Sequence, residues 1–371
     1  MNVDDGAWMG ERVADARRRA GLTQAELATA TSLDRSALAK IEHGSRRISA
    51  LELARIADTL GERIEWFVRR VPAAIVSHRN LQEPGAVSPK IDRLVEQVAR
   101  HVEFATEHDV KLTLSTVNMA RPGSAEDAEQ SAVEARKLLG LDAVEPFLQA
   151  SGRAAEIGLL AFSFDLGADA ADAASILLAE GGVAVINGSL RVGRRRLAFA
   201  HELGHYLFAD EYTVDWRIAE QDSDDAWESR LDRFARALLL PPKGLEELWT
   251  KVRTQSDLRT AAVKTASAFQ VDMSTLARRL VELGLASLSD ARQIRVVRTT
   301  KADIVDFNLV VSDEMAPTHL SRRYVESILR LYRNATVSAA RATDLLMETW
   351  VEDDLPPLPK LPESAIWTFV S

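Results

Sequence analysis

Apolar residues recur at helical spacing along most of the 371-residue chain, and strand-like alternation is confined to short stretches. Between Gly6 and Arg70, five short amphipathic patterns are separated by Gly, Thr and Ser, which predicts a compact helical unit. Thr23 and Glu26 form a capping box that starts a helix at Gln24, with Leu27 and Ala28 inward. Asp34 is placed to cap a second helix that buries Leu38 and Ile41, and Ser49 with Glu52 opens a third that buries Leu53, Ile56 and Leu60. Residues 71–125 begin with Val71-Pro72 and hold Pro84-Gly85 and Ser88-Pro89, which reads as a linker. The helical pattern within it (Ile91, Leu94, Val95, Val98, Val102) is expected to space or dimerise the domains. Residues 126–290 read as one further domain, with a helix over 125–139, an Ala- and Leu-rich run, a strand over Val183–Asn187 and two apolar helices. Residues 291–371 carry strand-like runs at Ile294–Val297 and Leu309–Ser312 and helices near 321–333 and 337–348. A Pro-rich tail follows, whose Trp367 and Phe369 are placed to dock on the chain itself or on a partner, the first being preferred. The expected class is mainly α with a small β-sheet (α+β).

Composition narrows the chemistry. The chain is 46% hydrophobic and 27% charged, with a formal net charge of −9. Residues 1–70 hold 12 Lys/Arg against 11 Asp/Glu, so the negative excess lies beyond them. A protein that coats nucleic acid along its whole length is excluded, and any DNA contact is expected from the first segment. There is no cysteine, so disulfides and Cys-ligated metal sites are excluded and a metal must be held by His and carboxylate. No apolar run reaches membrane-span length. The opening MNVDDGAWMG has neither the basic nor the apolar region of a secretion signal, so a cytoplasmic location without membrane contact is expected.

The segments TQAELA, RSALAKIEHG and SALELARIADTLG resemble the XRE/Cro-type helix-turn-helix over residues 7–67. That resemblance implies that the helix around Asp34–His43 enters the major groove of double-stranded operator DNA. Arg35, Ser36 and Lys40 would face base edges and Gln24 would touch a phosphate. Ser32 stands at the turn position where the family has Gly. One such module makes few contacts, so a homodimer on two half-sites is expected.

Residues 197–208 read LAFAHELGHYLF. Two imidazoles and a carboxylate in so apolar a helix are costly to bury unless paired or metal-bound. The i, i+4 spacing sets His201 and His205 on one face, with Glu202 at an adjacent angle from which it can take a proton from a water at the ion. The candidate third ligand is Glu228, 23 residues after His205, at the start of a helix that ends at Pro241-Pro242. It leans toward the side marked by Leu231, Phe234, Ala235 and Leu238. Asp232 is placed to hold a ligating His from behind. Asp222, Asp224 and Asp225 are weaker rival ligands, and Arg194–Arg196 reads as a solvated helix start. Val183–Asn187 is expected at a sheet edge, where a substrate could add as a strand. No oxyanion donor can be named; Tyr206 and Tyr212 are near only in sequence.

The stretches VAVINGSLRVGRRRLAFAHELGHYLF, ESRLDRFARALLLPP and AFQVDMSTLARRLVELGL resemble the ImmA/IrrE family of metallopeptidases over residues 126–290. The resemblance implies a Zn2+ held by His201, His205 and Glu228, with Glu202 as general base. Leu231 and Leu240 replace the family's usual Ala and Met. The function expected is a DNA-binding transcriptional regulator with a zinc-dependent endopeptidase domain that cleaves a repressor or partner protein. The alternatives are a non-proteolytic antitoxin that represses its operon and binds a partner toxin, and a metal sensor with structural zinc.

Overall fold

The structure, a computed structural model, describes residues 3–60, 64–68, 77–79, 89–168, 170–208 and 224–358. The chain divides into two units, Met1–Pro72 and Ala73–Ser371.

The first unit contains α1 (Val3–Arg19), α2 (Gln24–Ala30), α3 (Arg35–Glu42), α4 (Ala50–Leu60) and α5 (Ile64–Val68). The Thr23 hydroxyl accepts from the Glu26 N–H, and the Glu26 carboxylate accepts from the Thr23 N–H, so α2 is capped from both directions. Ser49 and Glu52 repeat the device ahead of α4. Asp34 occupies the cap position of α3, but its side chain makes no capping bond. Ser32 takes a left-handed conformation, φ 56°, in the turn between α2 and α3. That costs on the order of 1 kcal/mol where glycine would pay nothing. Leu27, Leu38, Ile41, Leu53, Ile56 and Leu60 close on Val13 and Phe67 as one core.

The second unit is built on a four-stranded mixed sheet of β1 (Ser77–Arg79), β2 (Leu159–Phe164), β3 (Ala173–Leu177) and β4 (Gly182–Asn187), in the order β1-β3-β4-β2. β1 and β4 flank β3 antiparallel, and β2 runs parallel to β4. Its helices are α6 (Pro89–His108), α7 (Ala125–Leu138), α8 (Ala150–Glu156), α9 (Val192–Leu207), α10 (Asp224–Leu239), α11 (Pro242–Arg253), α12 (Leu258–Phe269), α13 (Met273–Glu282), α14 (Leu288–Arg295), α15 (Lys301–Asp306), α16 (Arg322–Arg333) and α17 (Ala339–Leu345). Strand alternation sends Leu159, Ala161, Ala173, Ala184 and Ile186 to one core, shared with α7, α9 and α10. Leu160, Phe162, Ala174, Ile176, Val183 and Val185 go to the other, shared with α6 and α16.

Four expectations are corrected. The strand over Val183–Asn187 is not an edge: β4 lies between β3 and β2, which explains why all its residues are buried. The apolar face of α6 is fully buried at Ile91, Val95 and Val102 against this unit's own sheet, so that face neither spaces nor dimerises domains. Residues 294–297 end a helix and 309–312 are irregular, with Val296, Val310 and Val311 exposed; β-branched residues form a strand only where a partner edge is in reach. Arg195 and Arg196 are buried rather than solvated, because the segment after α15 returns to meet them. Arg195 reaches Asp313 at 2.5 Å, and Arg196 pairs with Glu314. Arg194 joins Asp172 through two bonds of 2.8 and 2.7 Å. The tail with Trp367 and Phe369, and the linker turns at Val71-Pro72 and Pro84-Gly85, lie outside the described residues.

Candidate metal centre

Every residue of α9 from Leu197 to Leu207 is buried, so its polar side chains must find partners inside the unit. Position 204, where α10 packs closely, is glycine. A Cβ there would stand 2.9 Å from Leu231 Cδ2 and 3.1 Å from Phe234 Cδ1, both on α10. Leu231, Phe234, Ala235 and Leu238 seal that contact. Two buried guanidinium groups hold the far end of α10: Arg136 donates to the Leu238 carbonyl at 2.7 Å and Arg279 to the Leu240 carbonyl at 3.0 Å. Cations at a helix C-terminus also suit its dipole.

This packing carries Glu228 up to the two histidines. His201 Nε2 lies 3.2 Å from His205 Nε2 and 3.1 Å from Glu228 Oε2, and His205 Nε2 lies 3.7 Å from Glu228 Oε1. Three donors converging at such spacings suit the corners around one ion with ligand bonds of about 2.0–2.2 Å, and two imidazoles with one carboxylate is a set that binds zinc. The cluster is capable of coordinating a metal ion. His201 and His205 are buried, whereas Glu228 keeps 46% of its side chain exposed, so the centre opens on the Glu228 side. Burial tends to raise the Glu228 carboxyl, but the bond to His201 and the nearby imidazoles bring it below the ordinary carboxylate value. On its other nitrogen, His201 Nδ1 meets Asp232 Oδ1 at 3.1 Å.

Glu202 is fully buried beside the cluster. The Ser175 hydroxyl, from β3, donates to its Oε2 at 2.6 Å, while its Oε1 has no hydrogen-bond partner among the described residues. An unpartnered carboxylate oxygen inside a protein is costly and calls for a water or ligand. This one lies beside the three convergent donors, a cluster able to coordinate a metal ion.

The Helix-turn-helix family matches residues 13–67, and the IrrE N-terminal-like domain family matches residues 154–281. The chain is a helix-turn-helix domain fused to an IrrE-like peptidase domain. Among solved structures, the restriction-modification controller protein C.AhdI from Aeromonas hydrophila is 30% identical over 17% of this chain and 97% of its own, with a TM-score of 0.17. The apo form of the competence regulator ComR from Streptococcus vestibularis is 14% identical over 84% of this chain and 95% of its own, also with a TM-score of 0.17. No curated protein matches the chain.

Within the IrrE-like domain, sequence reasoning missed Ser175. Its one signal is a hydroxyl at an inward-facing position of an otherwise apolar strand, AASIL. Tyr206 is a core residue: its hydroxyl, with one proton to donate, lies 2.6 Å from the carbonyls of both Ser115 and Ile157, and burial pushes its pKa up to about 12. Tyr212, Asp222 and the side chains of Asp224 and Asp225 lie outside the described residues. In the helix-turn-helix domain, Arg35, Ser36 and Lys40 are exposed on α3. Gln24 Nε2 donates to Glu42 at 2.8 Å, and Glu42 also receives Arg17. No helix among the described residues is long and apolar enough to cross a membrane.

Proposed function

We propose that this chain is a cytoplasmic transcriptional regulator that binds operator DNA and hydrolyses a repressor or other partner protein at a zinc-dependent endopeptidase site. The observation that carries the reading is the convergence of His201, His205 and Glu228 beside a buried Glu202 whose Oε1 has no partner among the described residues. His201, His205 and Glu228 would hold Zn2+, which supplies Lewis acidity toward a peptide carbonyl and toward water. Glu202 Oε1 takes the proton of the attacking water and delivers it to the amine released when the C–N bond breaks. Ser175 keeps the other oxygen of Glu202 in place. Asp232 accepts from His201 Nδ1–H and so directs Nε2 at the ion.

In this reading residues 6–70 recognise DNA and residues 126–290 carry the peptidase site. Arg35, Ser36 and Lys40 reach base edges from the exposed side of α3, Gln24 approaches the phosphate backbone, and a homodimer engages two half-sites. Replacing Arg35 by Ala should then cost about 1–3 kcal/mol and relax sequence preference at one base pair.

The deciding experiment incubates the purified chain, zinc-loaded or chelator-treated, with the protein encoded beside it. Cleavage that requires zinc and is abolished by Glu202→Gln, with metal still bound, supports the proposal. Stoichiometric binding of that partner without cleavage overturns it in favour of an antitoxin.

A further inference from the structure

We propose that Ser77–Arg79 occupies the peptide-binding edge of the IrrE-like domain in cis, so that a substrate strand must displace the chain's own segment. The proposal rests on the peptidase reading above and deepens it by naming what holds the substrate's place.

The backbone pairing carries the argument. β1 adds antiparallel to β3, with Ser77 opposite Ser175, His78 opposite Ala174 and Arg79 opposite Ala173. Ser175 is the residue whose hydroxyl holds Glu202. β1 therefore runs about 4.8 Å, one strand spacing, from the strand that supports the candidate base. It also lies beside α9, the helix that bears His201, His205 and Glu202. The other side of β3 is taken by β4, and the far edge of the sheet is bridged through Ser163 and His319 at 2.8 and 2.9 Å. Among the described residues, the β3 edge is where an extended chain can pair beside Glu202.

Adding a strand to a sheet edge is a general way of binding an extended peptide, with affinity from main-chain hydrogen bonds. Three residues of pairing are few, and each hydrogen bond contributes a net of only about 0.5–1.5 kcal/mol. A tethered segment nevertheless competes at an effective concentration of about millimolar. Such pairing is strong enough to block a weak substrate strand and weak enough to yield to a better one. The segment leads directly from the helix-turn-helix unit, which ends at Pro72, into the IrrE-like unit.

The test uses the full chain carrying Glu202→Gln, without added metal, so that no hydrolysis intervenes. Adjacent residues alternate in donating to an antiparallel neighbour, so either Ser77→Pro or His78→Pro removes a ladder N–H. The probe is a fluorescein-labelled peptide copying residues 75–81. At least one proline variant should bind it about tenfold or more tighter than the parent. Hydrogen exchange at Ala173–Leu177 should quicken in that variant and slow again when the peptide is added. Equal affinity for the parent and both variants, or protection that appears elsewhere than β3, would overturn the proposal. Neither result bears on whether the zinc-loaded wild type cleaves a partner, so the peptidase reading stands or falls separately.

Discussion

The hydroxyl of Ser175 donates to Glu202 Oε2 at 2.6 Å, and Glu202 Oε1 is buried with no hydrogen-bond partner among the described residues. One oxygen is anchored and the other is presented, so in the proposed reaction Glu202 would be held in place before any substrate arrives. Ser175→Ala is expected to leave zinc stoichiometry unchanged and to lower kcat about 10–100-fold with little change in KM. Ser175→Thr, which keeps a hydroxyl, should recover most of the loss. If Ser175→Ala raised KM alone, Ser175 would act on substrate binding and not on Glu202.

Asp232 meets His201 Nδ1 at 3.1 Å, and its other oxygen lies 3.7 Å from Arg236. A carboxylate behind a ligating imidazole fixes the ring and its tautomer. Asp232→Ala should weaken zinc binding about 10–100-fold, measured by competition with a colorimetric chelator. Glu228→Ala, which removes a donor from the cluster, should weaken it further. Wild-type affinity in Asp232→Ala would show that packing alone orients His201.

The α9 part of the cluster was legible because His201, Glu202 and His205 lie at short, helical spacings, whereas Glu228, 23 residues beyond His205, could be named only as a carboxylate at the start of the next helix. The capping boxes at Thr23 and Ser49 were legible for the same reason. Ser175 was not, since its role depends on β3 crossing under α9 from a distant part of the chain. Nor was the interior position of β4, because strand order is settled by neighbours that no local pattern names. Arg195 and Arg196 looked like a solvated helix start because Asp313 and Glu314, which draw them inside, are far along the chain.

The Arg196–Glu314 pair yields a stability prediction. Arg196 is fully buried, and it also donates to the Phe147 carbonyl. Glu314→Ala would leave a buried cation without its counter-charge, which costs about 3–5 kcal/mol. The midpoint of urea denaturation should fall accordingly. The double variant Arg196→Leu with Glu314→Leu should be closer to wild type, because it removes both charges. A double variant as unstable as Glu314→Ala alone would mean that the loss comes from packing around the segment and not from the unpaired charge.

Acid should loosen the helix-turn-helix unit through Glu42. Its side chain is only 6% exposed, and it accepts from Arg17 at 2.6 and 2.9 Å and from Gln24 at 2.8 Å. Burial acts to raise its pKa, but the bonds from Arg17 and Gln24 outweigh burial and hold the carboxyl below its ordinary value of 4.5. A group whose folded pKa is depressed binds fewer protons folded than unfolded, so stability rises with pH across the gap. The contribution is therefore complete above about pH 4.5 and is lost as the pH falls from there through the folded value. Hydrogen exchange in α2 and α3, followed from pH 6 to pH 3, should report a falling opening free energy below that point once intrinsic exchange rates are corrected for. Glu42→Gln should begin about 1–3 kcal/mol lower at pH 6 and fall less steeply, because it has no charge to lose. The same slope in both proteins would assign the acid sensitivity of the unit to other carboxylates.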